Sequence, residues 1–264
     1  APPSLLFIFM GLLMDVKDKV VIVTGGGRGI GFGISTAYAK AGAKLVITGR
    51  TEATLLEAKK KLEAYGTSVL TVTADGADEA AIKNVIAKTV EAYGKIDAVV
   101  NNAQASKSGK MLVDHTKEDF DLAIYSGLYA TFFYMREAFP YLKETKGCVI
   151  NFASGAGLAG RIAQSSYAAA KEGIRGLSRV AATEWGPYGV RVNVICPLAM
   201  TEGLQKFKEE YPDRYEQTIK AVPMGRFADP ETDIGRLCIF LSSEDAAYIT
   251  GETITVQGGS GLRP

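Results

Sequence analysis

A glycine-rich turn between an apolar run and a helical segment restricts the fold of this chain more than any other feature. Residues 20–23 are a run of β-branched side chains, typical of a strand that is buried on both faces. A helical pattern follows the turn to about Gly42. Glycines at such a turn let a pyrophosphate approach the backbone at the helix N-terminus. The order of strand, glycine turn and helix therefore predicts a dinucleotide site at Gly25, Gly27, Arg28, Gly29, Ile30 and Gly31.

Short apolar runs and helical segments then alternate along the chain. Further strands are expected at residues 44–48, 68–73, 98–100, 147–152, 191–196 and 253–256. This alternation predicts an α/β fold, a single-domain doubly wound parallel sheet (Rossmann fold) with helices on both faces. Ligands of such sheets lie at the carboxyl ends of the strands. The glycine turn, Asn101, Ser154 and Pro197 follow strands, so we expect them to converge on one cleft.

Length and composition predict a single domain that spans residues 19–264 and follows an N-terminal extension of residues 1–18. The chain has 264 residues, of which 47% are hydrophobic, and no composition shift marks a linker. Residues 5–13 are almost entirely apolar, but no Lys or Arg precedes them and the run is too short to span a bilayer. A start at Met10 or Met14, or residues added for expression, is favoured over targeting.

Charge and cysteine usage exclude several classes of protein. The net charge of +1 gives no electrostatic argument for binding nucleic acid or a membrane surface. Cys148, Cys196 and Cys238 are far apart in apolar segments, which predicts buried free thiols in a reducing, cytoplasmic compartment. His115 is the only histidine and no ligand cluster surrounds it, so no metal site is expected.

A tyrosine and a lysine in Tyr167-Ala168-Ala169-Ala170-Lys171 are candidates for acid–base chemistry. Alanines favour a helix, and residues four apart on a helix share a face. A nearby ammonium is expected to lower the pKa of the phenol, as a general acid–base requires. Ser154 lies at the end of an apolar run, where its hydroxyl could hold a carbonyl oxygen in line with the phenol. An ordinary amphipathic pair on a surface helix is the alternative.

The end of the second expected strand bears on cofactor choice. A carboxylate there would bind the 2′-hydroxyl of NAD, but Gly49 takes that position, with Arg50 next to it and Arg28 in the glycine turn. Two guanidinium groups without a carboxylate favour a 2′-phosphate, and hence NADP. Asp75, after the third strand, is placed to reach the adenine. The alternative is that Arg50 only caps a surface loop.

Taken together, these motifs resemble the short-chain dehydrogenase/reductase family over nearly the whole chain from Lys19. The resemblance is carried by the glycine turn, by Asn101-Asn102-Ala103, Ser154, Tyr167 and Lys171, and by Thr201 after Pro197. It implies hydride transfer between a nicotinamide and a carbonyl or alcohol carbon. Tyr167 would then be the proton donor or acceptor, Ser154 would orient the substrate oxygen, and Lys171 would bind the nicotinamide ribose and lower the pKa of Tyr167. It also implies cofactor contacts at Asn102, Ala103, Tyr167, Lys171, Pro197 and Thr201, and a homo-oligomer, either a tetramer or a dimer.

The chain departs from the family pattern at three positions. Gln104 replaces the glycine that usually follows Asn-Asn-Ala, and Leu198 replaces the glycine after Pro197. Gly127 stands where many members carry a catalytic asparagine, 27 residues before the serine. A glycine side chain cannot hold the water that would link Lys171 to solvent. The proton relay therefore remains open between Ser126, a backbone carbonyl and a different water.

Residues 101–106, 124–132 and 222–227 resemble the bacterial NADP-dependent 12α-hydroxysteroid dehydrogenases that act on bile acids. A substrate lid is expected at about residues 200–222, where one helix would carry an apolar stripe of Leu204, Phe207, Tyr211, Tyr215 and Ile219. Alternatively, this stripe only packs onto the domain. The residues expected to contact a steroid or bile-acid substrate are Gln104, Ser154, Tyr167, Leu198, Leu204 and Phe207.

Three other functions stay open at this point. A short-chain reductase of small ketones or 3-oxoacyl substrates is the nearest enzymatic alternative. A non-catalytic NADP-binding sensor is disfavoured because Ser154, Tyr167 and Lys171 are all present. A nucleotide-sugar epimerase or dehydratase would have a larger C-terminal substrate region.

Overall fold

A computed structural model describes residues 15–261 of the protein. Seven parallel strands form one sheet in the order β3-β2-β1-β4-β5-β6-β7. Their bounds are β1 Val20–Thr24, β2 Lys44–Gly49, β3 Val69–Thr73, β4 Ala98–Asn101, β5 Cys148–Phe152, β6 Arg191–Pro197 and β7 Thr253–Val256. The strand order reverses at β1, which places a crevice between the carboxyl ends of β1 and β4. Of the expected N-terminal extension, residues 1–14 lie outside the described residues.

Helices cover both faces of the sheet, as the alternating pattern predicts. The helices are α1 Gly29–Lys40, α2 Glu52–Glu63, α3 Glu79–Tyr93, α4 Lys117–Ala123, α5 Ala130–Thr145, α6 Gly155–Ala159, α7 Ser165–Trp185, α8 Glu202–Glu210, α9 Pro212–Lys220 and α10 Arg236–Ser242. Val21 and Val23 of β1 pack in a core with α1, α2 and α10, whereas Ile22 packs in a second core with α3, α5 and α7. Successive side chains of a strand point to opposite faces, so β1 contributes to both cores.

A wider turn interrupts the helical segment that begins at Lys117 and ends at Thr145. Thr116 and Asp119 form a capping box at its start. A π-helical turn, Ile124–Tyr129, joins α4 to α5. Gly127 lies buried in this turn, and such turns are frequent at functional sites.

The prediction of one helix bearing the apolar stripe of the lid is wrong. Two helices, α8 and α9, meet at Tyr211, because a residue before a proline is pushed out of the helical conformation. Leu204 and Phe207 are half-buried on α8. On α9, Tyr215 is buried, and its ring centroid lies 5.8 Å from that of Phe227. Part of the stripe therefore packs onto the domain.

Cys148, Cys196 and Cys238 are buried and do not form disulfide bonds within residues 15–261, as expected. Within residues 15–261, none of the helices combines the length and the apolar character needed to cross a membrane.

Candidate active site

The glycine turn lies directly against the end of β4. Gly25 has a φ of +66°, and its N–H donates to the carbonyl of Thr48 at the end of β2 (2.8 Å). A Cβ at Gly31 would lie 2.1 Å from the carbonyl oxygen of Gly25 and 2.7 Å from Nδ2 of Asn102. Only glycine at position 31 lets α1 begin this close to the turn.

The first turn of α1 can bind an anion. The helix begins at Gly29 without a side-chain cap and without an acidic residue in its first turn. Its first N–H groups therefore have no intrahelical or side-chain acceptor, and the helix dipole is positive at this end. A Cβ at Gly29 would meet no heavy atom within 4 Å, so the space beside the turn is open. This cradle fits the pyrophosphate of a dinucleotide.

Thr24 joins the turn to the Asn-Asn-Ala segment. Its Oγ1 accepts hydrogen bonds from the N–H groups of Asn102 and Ala103, both at 3.0 Å. Nδ2 of Asn102 donates to the carbonyl oxygen of Thr24 at 3.1 Å. The structure thus brings together the glycine turn, Asn102 and Ala103 at the crevice.

The residues expected around the adenosine lie at the ends of β2 and β3. Arg28 and Arg50 are exposed, and within residues 15–261 no carboxylate forms a salt bridge with either. A Cβ at Gly49 would make ordinary contact with Leu55, at 3.5 Å, so a side chain fits there. Asp75 is exposed, and its Oδ1 accepts from the N–H of Ala77 (3.0 Å), so part of its hydrogen-bonding capacity already holds the local turn.

Tyr167 and Lys171 lie in the first two turns of α7, with Nζ 5.6 Å from the centroid of the Tyr167 ring. Lys171 is only 4% exposed, and Nζ donates to the carbonyl oxygen of Phe152 at 2.9 Å. Burial disfavours the charged form and lowers the pKa of Lys171 to about 8. The lysine is therefore able to exchange a proton close to neutral pH.

Ser154 follows β5 and caps helix α6. Its Oγ accepts from the N–H of Ala156 at 3.1 Å, which leaves the hydroxyl hydrogen available for donation. A hydrogen bond between Ser154 and Tyr167 lowers the pKa of the phenol. The serine hydroxyl and the phenol are thus close enough to act on one oxygen atom.

In the protein alone, the pKa of Tyr167 is raised rather than lowered. Burial raises it above its ordinary value, and the opposing hydrogen bond from Ser154 only reduces that rise. Lys171 has a pKa of about 8 and is largely uncharged at the higher pH where the phenol titrates, so the lowering of the Tyr167 pKa by Lys171 stays a prediction.

Two asparagines under the site were not recognised as a pair from the sequence. Asn101 and Asn151 occupy the same register on β4 and β5, and Nδ2 of Asn101 donates to Oδ1 of Asn151 at 2.8 Å. Nδ2 of Asn151 in turn donates to Oγ of Ser178 on α7 at 2.8 Å. This buried network fixes α7 against the strand ends. The signal in the sequence for this pair is a polar residue near the end of each of two apolar runs that form adjacent strands.

Gln104 lies over Gly127. A Cβ at Gly127 would be 2.6 Å from both Cδ and Oε1 of Gln104. Oε1 and Nε2 are buried, and neither has a hydrogen-bond partner in the described part of the chain. Ser126, one candidate for the relay, is instead hydrogen-bonded to the backbone of Ala105 and Leu122.

The segment after β6 leads from the sheet to α8. The N–H of Leu198 donates to the carbonyl of Val256 at 2.9 Å, which continues the pairing of β6 with β7 beyond Pro197. The Thr201 hydroxyl caps α8 by accepting from the N–H of Leu204 at 3.1 Å. Pro197, Leu198 and Thr201 therefore lie at the same edge of the sheet as the glycine turn.

Comparisons with known proteins find similar dehydrogenases and reductases. A family model described as "Enoyl-(Acyl carrier protein) reductase" matches residues 25–261. A 12alpha-hydroxysteroid dehydrogenase of Clostridium sp. is 60% identical over 259 residues, which span 95% of this chain and 100% of that protein. A 3-oxoacyl-(acyl-carrier-protein) reductase of Thermotoga maritima is 31% identical over 248 residues, 93% of this chain and 99% of that protein.

A solved structure has the same fold. The crystal structure of levodione reductase superimposes with a TM-score of 0.86 at 32% identity and covers 93% of this chain and 98% of that one. This protein belongs to the short-chain dehydrogenase/reductase family of oxidoreductases, which use a nicotinamide cofactor.

Proposed function

We propose that this protein is an NADP-dependent 12α-hydroxysteroid dehydrogenase that interconverts a 12α-hydroxyl and a 12-oxo group on bile acids. One observation carries the choice of substrate: the 60% identity, over 95% of the chain, to a 12alpha-hydroxysteroid dehydrogenase. The arrangement of Ser154, Tyr167 and Lys171 supports the reaction class.

The cofactor would be held by the cradle at the crevice. The N–H groups at the start of α1 would bind the pyrophosphate, and Arg28 and Arg50 would bind the 2′-phosphate. When bound, the nicotinamide supplies the acceptor or donor of a hydride. The contacts proposed at Asp75, Asn102, Ala103, Pro197 and Thr201 lie along this edge of the sheet.

During alcohol oxidation, Tyr167 would take the hydroxyl proton of the substrate at its phenol oxygen, and in the reverse direction it would return a proton to the ketone. Ser154 would donate its hydroxyl hydrogen to the same substrate oxygen and hold it in line. Lys171 would bind the nicotinamide ribose and supply protons to Tyr167, because its pKa of about 8 allows exchange.

The steroid body would bind under the lid formed by residues 200–222. Leu198, Leu204 and Phe207 are half-buried and offer apolar area, at roughly 25 cal/mol per Å² covered. Lys206, Lys208 and Lys107 are exposed cations that would meet a side-chain carboxylate at the mouth. A cytoplasmic location and a homodimer or homotetramer are also proposed.

The experiment is NADPH formation from NADP with deoxycholate, cholate and chenodeoxycholate in parallel. Deoxycholate and cholate carry a 12α-hydroxyl, whereas chenodeoxycholate carries only the 3- and 7-hydroxyls. The proposal predicts turnover of the first two and identification of 12-oxo products. Equal turnover of chenodeoxycholate and deoxycholate would move the reaction to position 3, whereas turnover of chenodeoxycholate and cholate without deoxycholate would move it to position 7. Inactivity on all three would favour a reductase of small ketones or 3-oxoacyl substrates.

A further inference from the structure

Gln104 and Gly127 are complementary in shape. Gln104 extends from the segment after β4, and its carboxamide occupies the volume in which a side chain at position 127 would lie, 2.6 Å from the Cβ position. The family pattern has the opposite arrangement, a glycine after Asn-Asn-Ala and an asparagine in the long helix. This chain therefore also places one carboxamide in this volume, but the carboxamide comes from the segment after β4 and not from the long helix.

The carboxamide lacks hydrogen-bond partners. Both Oε1 and Nε2 are buried, and within residues 15–261 neither contacts a polar partner. Buried amide groups are almost always satisfied, and an ordered internal water is the usual partner when no protein group is near. An amide that offers both a donor and an acceptor is suited to a position within a chain of waters.

Gln104 follows β4, and Lys171 is bonded to the end of the neighbouring strand β5. Gln104 is three residues beyond Asn101, which is bonded across the sheet to Asn151. The next residue, Phe152, accepts the hydrogen bond from Lys171. Adjacent strands are about 5 Å apart, so the segment that carries Gln104 and the Phe152 carbonyl that holds the ammonium follow from neighbouring strands. The turn that contains Gly127 also packs on α7, where Leu128 contacts Gly173.

Lys171 needs a path to solvent. An ammonium has three N–H donors, and the hydrogen bond to Phe152 uses one of them. The side chain is buried, yet its pKa of about 8 means that it gains and loses a proton near neutral pH. Ser126 is bonded to the backbone, whereas the carboxamide of Gln104 has no hydrogen-bond partner within residues 15–261.

We propose that the Gln104 carboxamide, seated over Gly127, binds an internal water that connects Lys171 with solvent. Gln104 is then a positioning residue for proton transfer, rather than a substrate contact. The inference rests on the proposed function in one respect, namely that Tyr167 transfers a proton during turnover.

The first variant is Gln104→Met, which keeps most of the volume and removes both polar atoms. We expect a melting temperature close to that of the wild type, because the substitution removes no hydrogen bond to a protein group. We expect kcat to fall by about tenfold, less than the ~10²–10⁴-fold contribution of the acid–base group itself. The pH profile of kcat should shift while KM stays within about twofold. A raised KM with an unmoved pH profile would make Gln104 a substrate contact and overturn the inference.

The matched test moves the carboxamide from position 104 to position 127. Gly127→Asn alone should be destabilised, because the new side chain meets Gln104. Combining it with Gln104→Gly should restore both the kcat and the pH profile that Gln104→Met loses. Gln104→Gly with Gly127→Leu is the control, because leucine fills similar volume without an amide. Equal activity of the two double variants would contradict the role of the carboxamide.

A crystal structure gives a readout that does not depend on substrate. We expect an ordered water on the Gln104 carboxamide and its loss in Gln104→Met. A dry cavity in the wild-type protein would refute the inference even if the enzyme is active. If Tyr167→Phe keeps full activity while the water is present, the proposed function fails and the water site stands.

Discussion

The ammonium of Lys171 donates to the carbonyl oxygen of Phe152, with 2.9 Å between the two atoms, and this bond joins α7 to the end of β5. It fixes a buried cation beside Tyr167, and no carboxylate of the described residues 15–261 forms a salt bridge with it. Burial then lowers the pKa of Lys171 to about 8. The protein therefore keeps a group that exchanges protons near neutral pH at a cost in stability.

This cost should appear as a pH dependence of stability. The pKa of Lys171 is about 8 in the folded state and near 10.5 when unfolded, so the unfolded chain binds more protons between these values. Lys171 should therefore make the free energy of unfolding increase between about pH 8 and pH 10.5, by at most about 3 kcal/mol. In urea titrations, Lys171→Met should lack this rise. The exposed Lys206→Met is the control, and identical slopes for the two variants would contradict the account.

The Ser154 hydroxyl should set the pH range of alcohol oxidation. Its hydrogen bond lowers the pKa of Tyr167, which burial raises. Oxidation needs the deprotonated phenol, so kcat/KM for the alcohol should increase with pH through the alkaline range, whereas ketone reduction should decrease. Ser154→Ala should move the oxidation profile to higher pH, and Ser154→Thr, which keeps the hydroxyl, should move it less. If the pH profile of oxidation by Ser154→Ala equals that of the wild type, Ser154 does not influence the proton transfer.

Cofactor choice should respond to Gly49 and Arg50. A side chain fits at Gly49, so Gly49→Asp introduces a carboxylate where the 2′-phosphate would bind, with little strain. Each charge-assisted bond is worth ~1.5–3 kcal/mol, so the preference for NADP over NAD should fall by about tenfold or more. KM values for both cofactors measure this, with the uncharged Gly49→Asn as control. Arg50→Ala should weaken NADP binding more than NAD binding, and equal use of both cofactors by the wild type would refute the choice of NADP.

The hydroxyl of Thr24 should be required for cofactor binding. Its Oγ1 holds the N–H groups of Asn102 and Ala103 at the glycine turn. Thr24→Val keeps the shape and leaves two N–H groups without their acceptor, so the dissociation constant for the cofactor should rise by about tenfold. Thr24→Ser, which retains the hydroxyl, should bind nearly as the wild type does. If Thr24→Val binds the cofactor with unchanged affinity, the hydrogen bonds from Asn102 and Ala103 to Thr24 are not required for cofactor binding.

The sequence was sufficient for the sheet and for the residues at its carboxyl edge, because apolar runs, glycines and the Tyr167–Lys171 spacing are local signals. It was misleading at Tyr211, where an apolar period of three to four residues continues across Pro212 although the helix does not. The raised pKa of Tyr167 depends mainly on burial, which only the tertiary structure shows.

The fit of Gln104 over Gly127 also required the structure. The two positions are 23 residues apart, and each one alone reads as an unexplained departure from the family pattern. Only the folded chain shows that one side chain fills the space that the other leaves.

We propose that Tyr167 transfers the proton in a dehydrogenase of 12α-hydroxysteroids. Tyr167→Phe removes one oxygen and little volume, so cofactor affinity and melting temperature should stay close to those of the wild type. The direct measurement is the initial rate of NADPH formation from deoxycholate by wild type and Tyr167→Phe at saturating NADP. We predict that this rate falls by ~10²–10⁴-fold or more in Tyr167→Phe. A rate near that of the wild type would contradict it.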